Sequence, residues 1–479
     1  MNEGGLDAPQ KRVPIFTRSV KGKFRRFKWS MLVLAYAVYF LLPWLPWMRA
    51  SGPSQPILFD IPGRRFYVFD LVMYPQDVLW LAMLLFIAAI FLFFVTGLVG
   101  RAFCGYYCFQ TLWTDCFIWI ESKIQGERPA RIRLYKQPWS AEKVLKLGTT
   151  HVAWLLVSFW TAFTFVAYYA NAGQLLREFF GGGAPTAAYV TTCILTFTTY
   201  LAAGFMREQL CAFVCPYGRF QSVMYVPQTL AVHYDARRGE GENGRQAPKP
   251  GLKTLAERQA QGHGDCIDCG YCVQVCPAGI DIRDGLQYRC ISCGLCIDAC
   301  NQIMDSVGYP RGLIRYDSEE NLARQEPAKP HIELRNFRVI GYGVALALMI
   351  AFLVHNIATH QPMAVVVNQV RQPLYTTLAN GDVRNAYHIR ITNSSRRDES
   401  YAISTQGLPA GALQLAFQQV PIKTGRSVEV YAWVRLNQHQ AAAINRFNFV
   451  VTPRSEPEKA WTGVARFFTA ANTGSGGSE

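Results

Sequence analysis

The sequence predicts a multidomain membrane protein: an α-helical transmembrane bundle of five spans, a cysteine-rich insert and a C-terminal β-sandwich. Three observations predict it. Five apolar runs are each about 20 residues long, enough to cross a bilayer. All 14 cysteines lie between Cys104 and Cys300. Beyond residue 360 the long apolar runs give way to short alternating segments bounded by turn residues.

Composition agrees with membrane spans joined to soluble parts. Half the residues are hydrophobic, only 17% are charged, and the formal net charge is +15. The Lys and Arg residues cluster beside the apolar runs, where anionic lipid is the expected partner. No nucleic-acid-binding motif accompanies the charge, so no nucleic-acid partner is expected.

Residues 1–28 read as a basic cytoplasmic tail, with Lys11, Arg12, Arg18, Lys21, Lys23, Arg25, Arg26 and Lys28. Residues 29–235 form a four-span unit with spans at Trp29–Met48, Val78–Val99, Thr149–Ala170 and Ala187–Met206. The first span is too long for a signal core and has no clear small-residue cleavage site, so it reads as an uncleaved anchor. The 100–148 connection is rich in Lys and Arg, whereas 171–186 holds only Arg177. The positive-inside rule then places the tail, the 100–148 loop and the 207–337 segment in the cytoplasm. A fifth span, residues 338–358, carries the remaining chain to the periplasmic side.

Residues 236–262 are rich in Gly, Pro, Arg and Gln and read as a linker; residues 317–337 read as a second. Within 360–472, strands are expected at Ala364–Val370, Ala386–Thr392, Tyr401–Thr405, Leu413–Phe417, Ser427–Arg435 and Arg446–Thr452. Asn380-Gly381 makes a hairpin turn. This is the pattern of an immunoglobulin-like sandwich. His360, His388 and His439 are scattered through it, so no metal is expected there. The Gly/Ser tail from Thr473 is expected to be disordered.

The cysteines carry the chemistry. Cys266, Cys269, Cys272 and Cys276 form one C-x2-C-x2-C-x3-C run, and Cys290, Cys293, Cys296 and Cys300 a second. This is the spacing of bacterial two-cluster ferredoxins, in which the fourth cysteine of each run ligates the other cluster. Residues 263–316 are thus a 2[4Fe–4S] ferredoxin-like domain. Cys266, Cys269, Cys272 and Cys300 are the expected ligands of one cluster, and Cys290, Cys293, Cys296 and Cys276 of the other. Asn301 stands where proline often follows the last cysteine. Gly270 and Gly294 are expected to allow close backbone approach to the clusters. Thiolate ligands call for a reducing compartment. Two adjacent clusters imply electron transfer, and no G-x-G-x-x-G fingerprint marks a nicotinamide or flavin partner.

The second and fourth spans end in a repeated element: Cys104-x-x-x-Cys108 and Cys211-x-x-x-Cys215. On a helix, residues four apart share a face, so each pair could present two thiolates to one soft ion such as Cu(I), or act as a redox dithiol. The plainer alternative is that they are small buried apolar residues. For Cys116 and Cys193, which have no partner in the repeat, packing is the expected role. His151 and His355 fall at opposite membrane faces and read as satisfied polar residues, not haem ligands. Asp77, Asp115 and Glu208 lie near span ends and are assigned no role.

Taken together, these motifs, with Gly279-Ile-Asp-Ile-Arg-Asp-Gly-Leu-Gln-Tyr288 and Gly308-Tyr-Pro-Arg-Gly-Leu-Ile-Arg-Tyr316, resemble the cytochrome c oxidase accessory protein family CcoG (FixG/RdxA) over nearly the whole chain. The resemblance implies a bacterial inner-membrane protein acting in cbb3-type oxidase assembly, reducing Cu(II) to Cu(I) as substrate for delivery. It implies oxidase assembly factors or copper chaperones as partners, and an electron donor that the residues do not specify. The family's C-x-x-x-C-P motif is complete at Cys211, Cys215 and Pro216; at Cys104 and Cys108 the next residue is Phe109. Two alternatives stand beside this reading. One is a quinol-oxidising electron-transfer subunit resembling NapH, and the other a non-catalytic assembly scaffold with structural clusters.

Overall fold

The computed structural model describes residues 15–48, 52–73, 77–252, 254–324, 329–359, 363–370, 372–395 and 397–469. Lys11 and Arg12 of the basic tail, His360 and the Gly/Ser tail from Thr473 lie outside the described residues. The chain divides into two compact units, one built mainly on residues 55–352 and one on residues 353–479.

In the first unit, helices at Lys23–Trp44, Val78–Val99, Ala141–Ala167, Thr186–Met206 and Phe337–Ala358 are long and apolar enough to cross a membrane. The second and fifth bury almost nothing within the protein, whereas the third is half buried. The third is therefore the bundle's packing centre, and the other two present their apolar surface to lipid. Trp113 donates its indole N–H to Thr161 (2.8 Å), and Trp154 donates to the Phe117 carbonyl (3.3 Å). Both indoles thus bury their rings with the polar end satisfied.

The first helix begins at Lys23, inside the stretch read as a tail. The reason lies far away in sequence. The amides of Phe24 and Arg25 donate to the Asp298 carboxylate at 3.3 and 2.8 Å. A carboxylate from a distant helix thus caps the open N–H groups of the first turn. Gly22 leaves room for it, since a Cβ there would lie 2.1 Å from the Asp298 carboxyl carbon. The third helix starts earlier than its apolar run, at Ala141, because Ser140 accepts from the Lys143 amide. Between the first two spans, Ile57–Asp60, Arg65–Val68 and Leu71–Met73 form an antiparallel sheet. Strands of three or four residues are too short for alternation to reveal.

The segment read as a linker at 236–262 is folded. It holds helices Ala236–Glu240 and Leu255–Ala260, the latter opened by a Thr254/Glu257 capping box. Arg258 is fully buried and donates to the carbonyls of Gly264 (3.0 Å), Gln246 and Cys266 (both 2.9 Å). Strand Ala231–Tyr234 pairs antiparallel with Ile314–Asp317, from Ala231↔Asp317 to Tyr234↔Ile314. That pairing ties the start of the cysteine-rich region to its end, across the helices Tyr271–Val275 and Leu295–Val307.

The second unit is a sandwich of two antiparallel sheets. One runs Leu413–Leu415, Ser427–Leu436, Val383–Asn393, Met363–Gln369, with Thr376–Thr377 also on Val383–Asn393. The other runs Gln419–Ile422, Glu399–Gln406, Arg446–Pro453, Trp461–Arg466. Tyr387, Ile389, Ile391, Tyr401, Phe449 and Val451 fill the core. Asn380-Gly381 lies in the turn between Thr376–Thr377 and Val383–Asn393, with Gly381 at φ 83°. Gln419–Ile422 and Trp461–Arg466 escaped the sequence reading because both are edge strands interrupted by Pro421 or Gly463.

Candidate functional site

Each four-cysteine run of the insert is built the same way. Asp268 and Ser292, the residues before Cys269 and Cys293, both sit at φ 51°. Gly270 and Gly294 follow at φ 64° and 70° and start the helices Tyr271–Val275 and Leu295–Val307. The loops thus coil through left-handed positions, which turns backbone N–H groups toward the thiols. The Ser292 amide lies 3.5 Å from Cys290 Sγ. Gly294 also has a crowding reason, as a Cβ there would meet the Phe24 ring at 2.7 Å; around Gly270 nothing lies that near. Asn301 accepts from the Gly312 amide at 3.1 Å.

The thiols fall into two neighbourhoods. The thiols acting on Cys300 are Cys272, Cys266 and Cys269. Those acting on Cys296 are Cys293, Cys290 and Cys276, with Cys272 next, between the two groups. Burial pushes Cys272, Cys290 and Cys300 up to about 12 and Cys276 to about 11. Cys272, Cys276, Cys290, Cys293 and Cys296 line one cavity with aliphatic side chains such as Ile280 and Ile282. Groups of four neighbouring thiols in an apolar cradle suit a cluster whose positive iron replaces their protons. The two groups would hold the two [4Fe–4S] clusters, which supply one-electron storage when bound.

The membrane-edge cysteines do not share one helical face, contrary to the spacing argument. Cys104 lies in the helix Ala102–Tyr106, while Cys108 is extended (φ −62°, ψ 128°) ahead of Phe109–Ile124. Cys211 lies in the widened turn Leu210–Val214, and Cys215 is extended (φ −74°, ψ 113°) ahead of Pro216–Met224. Each pair therefore straddles a helix break. The break is the same at both sites, although only the second has a proline. The repeat also extends upstream. Four residues before Cys104, Gly100 turns at φ 56°, ψ −131°; four before Cys211, Arg207 turns at φ 40°, ψ −116°.

The two cysteine pairs are neighbours across the repeat. Cys104 has Cys108 and Cys211 beside it, and Cys211 has Cys108 and Cys215. Burial leads in pushing Cys104 up to about 12 and Cys211 to about 11. Among the described residues, no three His, Cys, Asp or Glu side chains close on a point that a single metal ion could share.

The membrane edge and the insert are in direct contact. The Tyr106 hydroxyl donates to the Cys293 carbonyl at 2.9 Å. Gly105 packs so closely that a Cβ would lie 2.7 Å from the Ile291 carbonyl oxygen and 3.1 Å from Cys293 Cα. One pocket is lined by both Cys211 and Pro277, the residue after Cys276. The N-terminal strap adds to this. Arg18 donates its amide to the Gln274 carbonyl (2.8 Å), and Tyr271 donates its hydroxyl to the Ser19 carbonyl (3.2 Å).

Several basic residues assigned to lipid are buried inside instead. Lys28 is fully buried and pairs with Asp115 at 3.0 Å, and Arg25 reaches the same carboxylate at 3.3 Å. Glu121 binds Arg207 (2.5 Å) and Arg131 (3.1 Å). Asp115, which sequence reasoning passed over, thus anchors the first helix. Its signal is a charge inside an otherwise apolar helical face. His151 Nδ1 lies 3.0 Å from the Tyr200 hydroxyl. Cys116 packs with the first helix near Tyr36.

Comparison with known proteins places these features together. Residues 206–319 match a 4Fe–4S dicluster domain, residues 81–126 a 4Fe–4S binding domain, and residues 353–469 the IG-like fold at the C-terminus of FixG. Protein RdxB of Cereibacter sphaeroides is 40% identical over 85% of this chain and 84% of its own length. Protein RdxA of the same organism is 41% identical over 83% of each chain. Nitrogen fixation protein FixG of Rhizobium meliloti is 37% identical over 85% of this chain and 82% of its own. A five-helix bundle, a dicluster insert and an immunoglobulin-like domain in one homologous chain make this a multi-pass, iron–sulfur electron-transfer protein belonging to the FixG/RdxA family.

Proposed function

We propose that this protein reduces Cu(II) to Cu(I) at the cytoplasmic membrane edge, for copper delivery during assembly of a cbb3-type cytochrome c oxidase. The observation that carries the reading is the contact of Gly105 and Tyr106, from the first C-x-x-x-C element, with Ile291 and Cys293 of the second cluster loop. Backbone in van der Waals contact keeps the tunnelling distance from the insert to the membrane-edge thiols short. The substrate Cu(II) gains one electron and becomes Cu(I), which thiolate surroundings favour. Oxidase assembly factors or copper chaperones would take the product. By the positive-inside rule the insert is cytoplasmic and the β-domain periplasmic.

The test is anaerobic. The protein is reduced, freed of excess reductant and mixed with Cu(II) and a Cu(I)-selective chelator. The expected result is one Cu(I) per electron lost from the iron–sulfur absorbance, slowed at least tenfold by Cys211→Ser with Cys215→Ser. Reoxidation without Cu(I), or an unchanged rate in that variant, overturns the reading.

A second reading has its own observation. A pocket at the ends of the third and fourth spans is lined by His151, Trp154, Phe205 and Arg207. His151 stacks on Phe205 at 5.9 Å, and Arg207 lies over Trp154 at 5.5 Å. Such an aromatic, hydrogen-bonding slot suits a quinol head group as electron source. Reduction of the clusters by a soluble quinol, lost in Trp154→Ala, supports it; no reduction excludes it.

A further inference from the structure

We infer that Cys104, Cys108, Cys211 and Cys215 form a single site, shared by the two halves of the repeat, that holds a third iron–sulfur cluster. The halves interlock around it. Arg101, from the first half, donates to the Gly218 carbonyl in the second. Gln110 donates to the carbonyls of Ala202 (2.8 Å) and Arg207 (3.2 Å). From the second half, Gln221 accepts from Cys104 Sγ at 3.5 Å. Neither half is sufficient by itself. The segment 81–126, matched as a 4Fe–4S binding domain, holds only Cys104, Cys108 and Cys116. Cys116 packs away toward Tyr36, so the missing thiolates must come from the other half.

The charge around the site selects its occupant. The adjoining pocket is lined by Lys28, Arg101, Arg207 and Arg289 against Asp115 and Glu208. Asp115 is already neutralised by Lys28 and Arg25, and Glu121 answers Arg207 and Arg131. Arg101 is buried, 5% exposed, and among the described residues its guanidinium makes no ion pair and donates to the Tyr288 and Gly218 carbonyls. A buried guanidinium without a carboxylate calls for an anion nearby, and Arg101 stands beside the thiols of Cys104 and Cys211 as well as that of Cys290 in the insert. Helices Phe109–Ile124 and Pro216–Met224 also begin directly after Cys108 and Cys215, without side-chain caps, so their positive ends lie at those two residues. These surroundings stabilise a metal–thiolate complex of net negative charge. The absence of three donors around one point, among the described residues, holds equally for the eight ferredoxin thiols and for these four. In both sets the thiols are neighbours of one another. Its place against the Cys293 loop makes it a third redox station, and this holds whether or not copper is the final acceptor.

The test is the metal content of the whole protein, purified anaerobically in detergent. Two cubanes account for about eight irons per chain, and a third [2Fe–2S] or [4Fe–4S] group raises this to about ten or twelve, with matching sulfide. Cys104→Ser with Cys108→Ser, and separately Cys211→Ser with Cys215→Ser, should each remove all of the additional iron. The paramagnetic signals of the two ferredoxin-type clusters should persist as the control for folding. Eight irons in the unaltered protein, copper in place of the extra iron, or loss of only half the extra iron on removing one pair each overturns the inference. Should a variant fail to accumulate, the iron and sulfide count of the unaltered chain still decides.

Discussion

At the scale of single residues, buried charges with defined partners carry the most consequence. Asp115 lies between Lys28 and Arg25, and Lys28 has no access to water. Asp115→Asn should therefore cost roughly 3–5 kcal/mol, since it leaves Lys28 charged and buried. The thermal midpoint of the detergent-solubilised protein reads this loss. Lys28→Met with Asp115→Leu should recover most of it, which a surface pair would not do. Arg258 tests a different link. Its guanidinium holds the Cys266 carbonyl, so Arg258→Ala should loosen the Cys266–Cys269–Cys272 loop and make the first cluster labile. Paramagnetic resonance should then show one signal decaying on exposure to air while the other persists. Neither role was legible in the sequence. Lys28 looked like a lipid-facing base and Arg258 like part of a linker, because composition does not tell a solvated arginine from one buried under three carbonyls.

At the scale of elements, the cysteine loops were readable because metal ligation demands fixed spacing within a few residues. The membrane-edge pairs were readable as a repeat but not as a shape. Two cysteines four apart suggest one helical face, yet the helix breaks at the second cysteine of each pair, just before Phe109 as well as just before Pro216. At the first break, Gly105 allows the helix to pack against the insert. Gly105→Val should push the helix Ala102–Tyr106 off the Cys293 loop. Its expected effect is slower electron exchange between insert and membrane edge, at unchanged iron content, read by stopped-flow absorbance. The thiols also predict a pH effect on the iron-free protein. Burial raises Cys272, Cys290 and Cys300 from 9.0 to about 12 in the folded state. The folded iron-free chain thus holds protons that the unfolded chain releases, and its stability should fall as pH rises from 9 toward 12. Thermal midpoints of chelator-stripped protein across pH 8–11 should decline, while those of the iron-loaded protein should change less.

At the scale of the whole molecule, the two units have separate cores. A chain ending at residue 359 should keep its full iron content, and residues 363–469 alone should unfold cooperatively with a β-type circular dichroism spectrum. In that domain Phe449→Ala should cost about 3–5 kcal/mol, because Phe449 is fully buried between the sheets. The sequence by itself determined the five spans, the two cysteine runs and the alternating strands, because each is a local periodic constraint: bilayer thickness, ligand spacing or the two-residue repeat of a pleated strand. Only the tertiary structure decided that Asp298 starts the first helix 273 residues upstream of itself at Arg25. Only it made a folded part of the insert from 236–262 and set four thiols from two spans beside one another under a buried arginine. Those arrangements depend on which distant groups can neutralise or hydrogen-bond each other once water is gone, and that is a property of packing that no local pattern encodes.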